Sequence, residues 1–373
     1  MSPGAVYIHV PFCLHRCGYC DFTLVANRDQ LIPQYLSALK NELSTVHSVT
    51  PVNTMFIGGG TPTHLSASEL EELFAMIFEK FQLATGAEFS IEANPDGLTD
   101  DRLHVLQAAG VNRISLGVQS FDEQVLKVLE RRHTPNDASS AIERCADHFR
   151  SVSLDLIFGV PSQSMESWSR TLDHALHLPI QHISTYGLTY EQGTAFFRRE
   201  QNGILRRTPD ETERDMFICA IDSIQAAGFE HYEVSNFARP DHQCRHNLTY
   251  WRAEEYFAFG PGAARYLNGV RTTNCRSVPK WLQSWTRGES CIQEREQLSS
   301  EDRSREAIML GLRMRTGLNL ASFEETYHCS VESLEPESYG RHLEKGLLEI
   351  SNGFLRLTRE GLMIADTVVS DFL

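Results

Sequence analysis

The sequence predicts an α/β protein built on a parallel sheet, and three observations carry that reading. Six short β-rich runs recur: Val6 to Val10, Thr54 to Ile57, Glu88 to Glu92, Arg113 to Val118, Ser153 to Phe158 and His182 to Leu188. Each is followed by a helical pattern, so the order is strand–helix–strand throughout. From about Ser299 the pattern changes to helices and one hairpin, which marks a separate module. Repeated βα units with right-handed crossovers give a parallel sheet, either doubly wound or curled into a full or partial barrel, with chemistry at the C-terminal ends of the strands. Periodicity leaves that choice open.

The elements follow in order. The first strand runs directly into a cysteine-bearing loop. Ser66 and Glu69 form a capping box, and Leu70, Leu73, Phe74, Ile77, Phe78 and Phe81 recur at helical spacing as one apolar face. A second helix runs from about Asp100 to Ala109 and stops at Gly110, whose freedom at positive φ suits a helix end. A helix from about Pro209 to Ala227 precedes a strand near Glu230 to Val234. The stretch from Asn236 to Gly269, rich in aromatic, Gly and polar residues, reads as functional loop or domain junction. After three C-terminal helices, Leu347 to Ile350 and Phe354 to Leu357 flank Asn352-Gly353, a strong hairpin signal, and a last helix closes the chain. The expected division is a βα core over residues 1–235, a connecting region over 236–298 and a winged-helix-like module over 299–373.

At 373 residues the chain is long enough for two or three domains of roughly 150 residues. Lys+Arg 34 against Asp+Glu 49 gives a formal net charge of −15, which disfavours a phosphate-neutralising nucleic-acid surface. The winged-helix-like segment carries 8 basic and 13 acidic residues, so a docking or lid role is preferred there to DNA contact. No stretch approaches the roughly 18 apolar residues of a membrane span, and no leader pattern opens the chain, so the expected location is the cytoplasm. Nine cysteines without a leader argue for thiols or metal ligands over a disulfide framework.

Cys13, Cys17 and Cys20 form CxxxCxxC in the loop leaving the first strand. With nine Cys in 373 residues, this spacing arises by chance in about half a per cent of sequences. Two ligand chemistries fit three thiolates. A closed structural zinc site takes a fourth ligand, for which His9 or His15 is the candidate. A [4Fe–4S] cluster on three thiolates keeps one iron open to a chelating small molecule. Gly58, Gly59 and Gly60 after the second strand suggest backbone held close to a ligand. Glu92, at the end of the third strand, can accept hydrogen bonds from a ribose or an ammonium group. The remaining cysteines, Cys145, Cys219, Cys275, Cys291 and Cys329, read as buried inert thiols.

Cys13, Cys17, Tyr19 and Cys20 match CxxxCx(aromatic)C, and in this the sequence resembles the radical S-adenosylmethionine (SAM) superfamily. The resemblance implies a partial (β/α)6 barrel, a [4Fe–4S] cluster, and SAM bound at the open iron through its amino and carboxylate groups. It also implies that an electron from the reduced cluster cleaves the sulfonium. YIHVPFC (Tyr7 to Cys13), FIGGGTPTHL (Phe56 to Leu65), SIEANPD (Ser90 to Asp96), RISLGVQSFD (Arg113 to Asp122) and DLIFGVP (Asp155 to Pro161) occur in the order found in oxygen-independent coproporphyrinogen III dehydrogenases and their relatives. The resemblance assigns Tyr7, Tyr19, Gly59, Gly60, Thr61, Glu92, Gln119, Arg131 and Asp155 to SAM, with Arg131 or its neighbour Arg132 facing a carboxylate.

Three features separate this chain from the dehydrogenases. Phe22 stands where they carry a further cysteine, only six residues precede Tyr7 where they carry an extension that closes the site, and HNxxYW appears at His246, Asn247, Tyr250 and Trp251. The combination, with the Gly260-Pro261-Gly262-Ala263 turn, resembles the HemW group of haem chaperones. That implies haem as ligand, and haem-accepting proteins and an electron donor as partners; oxidative decarboxylation of coproporphyrinogen III, which these three features disfavour, and another radical SAM reaction are the alternative readings. His246 is the haem ligand this reading suggests, with Cys244 as an alternative; a His246 and Asn247 that cap a turn beneath packed aromatics is the rival reading.

Overall fold

The computed structural model describes residues 3–373. Nine strands form its main sheet. In chain order they are β1 (Ala5–Val10), β2 (Thr50–Gly59), β3 (Phe81–Ala93), β4 (Arg113–Gln119), β5 (Ser151–Phe158), β6 (His182–Gly187), β7 (Glu230–Glu233), β8 (Asn236–Ala238) and β9 (Phe257–Phe259). Their spatial order is β9-β1-β2-β3-β4-β5-β6-β8-β7. From β1 to β6 each strand lies parallel beside its successor in sequence. A doubly wound sheet would reverse order at its centre. This sheet does not, so it is an open, partial barrel, with β9 parallel on one edge and the antiparallel β7–β8 hairpin on the other.

The strands alternate in an unusual sense for a barrel. Ile114, Leu116 and Val118 of β4 join one apolar cluster with Leu103 and Leu106 of the helix Asp100–Ala108 and Ala138 and Ile142 of the helix Pro135–His148. The period of two therefore turns Arg113, Ser115, Gly117 and Gln119 to the concave side. On β3, Phe89 and Ile91 face the helices and Glu92 faces in; on β5, Leu154 and Leu156 do so while Asp155 faces in. The core lies between sheet and helices, and the concave face is polar.

Helix Ala67–Phe78 has the expected capping box, with Glu69 N–H on the Ser66 hydroxyl. Phe81, expected on that helix, instead begins β3, paired with Thr50, because the helix has already ended at Phe78. The stretch from Asn236, expected to be loop, is largely regular. It supplies β8, the helix Arg245–Trp251, β9 and a separate antiparallel sheet of Ala264–Leu267, Val270–Asn274 and Ile292–Gln297. Cys275 and Cys291, read as inert thiols, are joined in a disulfide at the end of that sheet. Their Cα atoms are 5.8 Å apart because the ladder brings together positions separated in sequence by a whole helix, Val278–Thr286.

The C-terminal module contains the helices Ser300–Gly311, Leu320–Tyr327, Val331–Leu334 and Pro336–Glu344, then a hairpin of Leu348–Ser351 and Phe354–Leu357. Asn352 and Gly353 turn the hairpin at φ of 52° and 81°, as the Asn-Gly pair predicts. Two short helices, Arg359–Met363 and Ala365–Ser370, replace the single closing helix expected. The module docks on the β7 edge: Arg315 N–H donates to Tyr232 O at 2.9 Å, and Arg359 Nη2 donates to both carboxylate oxygens of Asp222 at 2.8 and 2.9 Å. Among the described residues no helix is long and apolar enough to cross a membrane.

Candidate functional site

A cavity of about 510 Å³ opens at the C-terminal ends of the parallel strands. All three motif cysteines line it. Cys13 sits in a two-residue strand, Phe12–Cys13, paired in parallel with Val25–Ala26, so the cysteine loop is tied down at both ends. Among the described residues no three His, Cys, Asp or Glu side chains converge on one point that would hold a single metal ion. A cuboidal cluster does not require that, since each thiolate meets its own iron. Of the zinc alternative's two candidate ligands, His15 lines the cavity, while His9 is occupied: Nε2 donates to Thr23 O at 2.6 Å, which leaves Nδ1 to accept from the Tyr7 hydroxyl at 3.0 Å.

Two of the sulfurs belong to one hydrogen-bonded chain. Asn94 Nδ2 donates to Thr61 Oγ1 at 2.9 Å, so the single hydroxyl proton of Thr61 is left for Cys13 Sγ, 3.2 Å away. Asn94 Oδ1 in turn accepts from Arg131 Nη2 at 2.6 Å, which fixes the amide's orientation. Arg131 reaches Cys17 Sγ with Nη1 at 3.7 Å and Gly117 O with Nη2 at 2.6 Å. The direct partners of this guanidinium are a carbonyl, an amide and a cysteine sulfur, and none of them is a carboxylate. Of the two arginines proposed to face a carboxylate, only Arg131 lines the cavity; Arg132 lies on an outer depression.

Glu92 and Asp155 enter the same cavity from β3 and β5. Glu92 Oε2 accepts from Gly59 N–H at 2.9 Å, and burial pushes the carboxyl up to about 7, with the Asp155 charge adding to the effect. Asp155 accepts from the Ser115 hydroxyl at 3.2 Å and is also raised by burial, which the Arg113 charge opposes. Gln119 closes β4 at φ 69°, beyond a register shift against β5, and so projects into the cavity. Tyr19 lines it from the cysteine loop, edge-on to Phe196.

Tyr7 departs from expectation. Its hydroxyl is committed to His9, and it lines two adjoining spaces, not the cysteine cavity. The glycines also answer to different neighbours than expected. A Cβ on Gly60 would lie 2.6 Å from Phe12 O, and one on Gly59, at φ 117°, would lie 2.7 Å from the His9 ring. Both line the cavity, yet what excludes a side chain there is the protein's own first strand and loop.

HNxxYW lies in the helix Arg245–Trp251, where His246 is bonded at both ring nitrogens, Asn247 lines a smaller chamber beside the cysteine cavity, and Trp251 Nε1 is buried without a hydrogen-bond partner among the described residues. Glu88 caps its start, accepting Arg245 N–H at 2.8 Å and His246 N–H at 3.0 Å. His246 is 1 % exposed, with Nδ1 2.9 Å from the Thr54 hydroxyl and Nε2 2.8 Å from the Tyr250 hydroxyl. Burial holds it down to about 3, with the Arg113 charge second, so it is a neutral imidazole with both nitrogens engaged. The haem ligand suggested by the sequence is thus closed off in this structure. Cys244 is likewise buried, 3.6 Å from Glu88 Oε1, with its thiol pushed up to about 12 by burial. Trp251 packs in a cluster with Leu248 and Met314, under the Arg313 guanidinium at 5.6 Å, where it anchors the C-terminal module. Asn94 and Arg113 were not singled out from the sequence. Their signal is the strand alternation, since both fall on the inward phase.

An open parallel half-barrel with CxxxCxxC after its first strand defines the class, a radical SAM protein. Residues 7–175 match the Radical SAM superfamily, and residues 298–364 match the HemN C-terminal domain. The chain is 37 % identical over 374 residues to the heme chaperone HemW of Bacillus subtilis (strain 168), covering 99 % of each. It is 37 % identical over 373 residues to that of Lactococcus lactis subsp. lactis (strain IL1403), covering 100 % of this chain and 98 % of that one. The solved structure of Escherichia coli coproporphyrinogen III oxidase (HemN), a radical SAM enzyme, aligns with a TM-score of 0.87 over 99 % of this chain and 90 % of that one, at 22 % identity, which establishes a shared fold. The chain belongs to the HemW family of the radical SAM superfamily. A [4Fe–4S] cluster and SAM follow from that family.

Proposed function

We propose that this protein is a haem chaperone of the cytoplasm that binds haem and delivers it to haem-requiring proteins while keeping a working cluster and SAM site. End-to-end similarity to relatives named for that role carries the reading. The residues present suit the groups: three cysteines of one loop face one cavity, and two of their sulfurs have hydrogen-bond donors built in. In this reading Cys13, Cys17 and Cys20 hold the cluster, which when reduced supplies the electron that cleaves the sulfonium of SAM.

The chain's own residues do the rest. Thr61 and Arg131 direct protons at the sulfurs of Cys13 and Cys17, which withdraws electron density and makes the cluster easier to reduce. Among the described residues the guanidinium of Arg131 has no carboxylate partner; with both Nη2 hydrogens given to Asn94 and Gly117, its unpartnered Nε is left to face the carboxylate of SAM in a charge-assisted contact. Glu92, Asp155 and Gln119 supply acceptors for ribose and ammonium groups, and Gly59, Gly60 and Tyr19 shape the walls. An electron-donor protein is required, and the module over 299–373 is assigned a docking or lid role for the haem recipient.

The test is anaerobic reconstitution followed by parallel haem-binding and coproporphyrinogen assays. Stoichiometric haem at micromolar affinity or tighter, without turnover above a cluster-free control, supports the chaperone. Protoporphyrinogen formed at enzymatic rates replaces it with the dehydrogenase.

A further inference from the structure

Deeper in the half-barrel, below the cysteine cavity, lies a second chamber of about 230 Å³. The two spaces share Glu92, Ser115, Asp155 and Tyr186 along their common wall. Arg113 lines this chamber, turned inward by the alternation of β4, two positions below Ser115. It is only 4 % exposed. A guanidinium so far from water ordinarily has a carboxylate against it, because an unpaired buried charge costs several kcal/mol. Among the described residues Arg113 makes no ion pair, and its Nε has no hydrogen-bond partner.

The acids nearby are each committed elsewhere. Glu88 caps the helix Arg245–Trp251, Glu92 accepts from Gly59 N–H, and Asp155 accepts from Ser115. Their fields reach Arg113 and favour its charge, but the fork of donors is left unused. Burial raises the carboxyls of both Glu92 and Asp155, which line the chamber with Arg113.

We propose that this chamber is a carboxylate subsite in which the guanidinium of Arg113 receives a single short carboxylate arm, of propionate length, from a larger ligand held in the adjoining space that shares Tyr7 and Tyr250 with it. The volume supports the size: about 230 Å³ is below the roughly 300–1,000 Å³ of sites that enclose a whole drug-sized ligand, yet ample for one arm. The charge supports the class. One guanidinium balances one carboxylate, whereas a dianionic phosphate would bring a second negative charge against Glu92 and Asp155. Resting on the chaperone reading, the arm is a propionate of haem, and the site deepens that reading by naming how haem is oriented without an axial ligand from His246.

Haem and its dimethyl ester share the macrocycle and differ in the carboxylates. Titrated anaerobically into the reconstituted protein, haem is expected to bind at least ~10-fold tighter than the ester. In Arg113→Gln that preference falls to about threefold or less while the ester's own affinity holds, and Arg113→Lys, which keeps the charge without the fork, lies between. Equal affinities in the parent, which need no variant to interpret, overturn the proposal, as does a preference that survives in a folded Arg113→Gln. The source of the carboxylate is tested apart with ¹³C-labelled propionate. If haem fails to bind but propionate binds the parent and not Arg113→Gln, the subsite stands and the haem reading falls; propionate that ignores the parent sinks the subsite.

Discussion

Two polar regions meet inside this half-barrel, and they treat their chemistry-bearing residues in opposite ways. Around the cysteine loop, donors point at sulfurs: Thr61 at Cys13 and Arg131 at Cys17, with no carboxylate in ion-pair contact with the guanidinium among the described residues. Around HNxxYW, every nitrogen of His246 already has a partner, as does the Cys244 thiol. Residue types that can ligate make a ligand site only where the fold leaves their donors and acceptors uncommitted. By that measure the proposed site lies at the cysteine loop, and His246 belongs to the packing that closes the barrel's edge, with Trp251 beside the C-terminal module.

Substitutions can break this contrast, and the largest effect belongs to the cysteines. Cys13→Ala, Cys17→Ala or Cys20→Ala is expected to abolish the iron–sulfur absorbance after reconstitution, because two irons would then lack thiolates, whereas Cys244→Ala keeps it. Iron and sulfide analysis reads both. Cluster retention in all three single variants would dissolve the distinction between the two regions.

His246→Gln tests the scaffold side. Removing a buried imidazole bonded at both nitrogens should lower unfolding free energy by about 2 kcal/mol in urea titrations, while the position of the haem Soret band stays put. A displaced Soret band without loss of stability would move His246 back among the haem ligands.

A smaller effect is expected at Asn94, which touches no sulfur itself. Asn94→Leu frees the Thr61 hydroxyl proton from its orientation and loosens Arg131, so the cluster should become harder to reduce at unchanged iron content. A redox titration followed by electron paramagnetic resonance checks it, and an unchanged potential would make Asn94 merely structural.

The smallest effect concerns pH. Glu92 is raised to about 7 in the folded protein, so between its ordinary value near 4.5 and about 7 the folded state binds more protons than the unfolded one. Its contribution to stability is therefore fully present below pH 4.5 and is lost as pH rises through 7. Glu92→Gln should gain on the parent over that interval by on the order of 1–3 kcal/mol, measured as the difference between two urea midpoint series. Parallel series would remove the burial assigned to this carboxyl.

Much of this architecture was legible in the residues. The βα alternation predicted the parallel sheet, Asn352-Gly353 predicted the hairpin, and Cys13, Cys17 and Cys20, singled out by their spacing, do line one cavity. What escaped was set by distance along the chain. Helix and strand compete over a short apolar run, so Phe81 could be placed only by its pairing with Thr50. The Cys275–Cys291 bond depends on a ladder that no local pattern announces. His246 looked available because Thr54, its partner, lies 192 positions away. The inward phase of Arg113, Ser115 and Gly117 was readable from the apolar alternation of Ile114, Leu116 and Val118, but that an arginine would be left unpaired was not.

The contrast between an open site and a satisfied scaffold is tested most directly by the electron paramagnetic resonance spectrum of the reduced, reconstituted protein, with and without SAM, in the parent, Arg131→Gln and His246→Gln. SAM should perturb the signal in the parent and in His246→Gln, and at least ~10-fold more SAM should be needed in Arg131→Gln at full iron content, since a charge-assisted contact is lost. An undiminished response in Arg131→Gln, or a response abolished in a folded His246→Gln, would contradict the account.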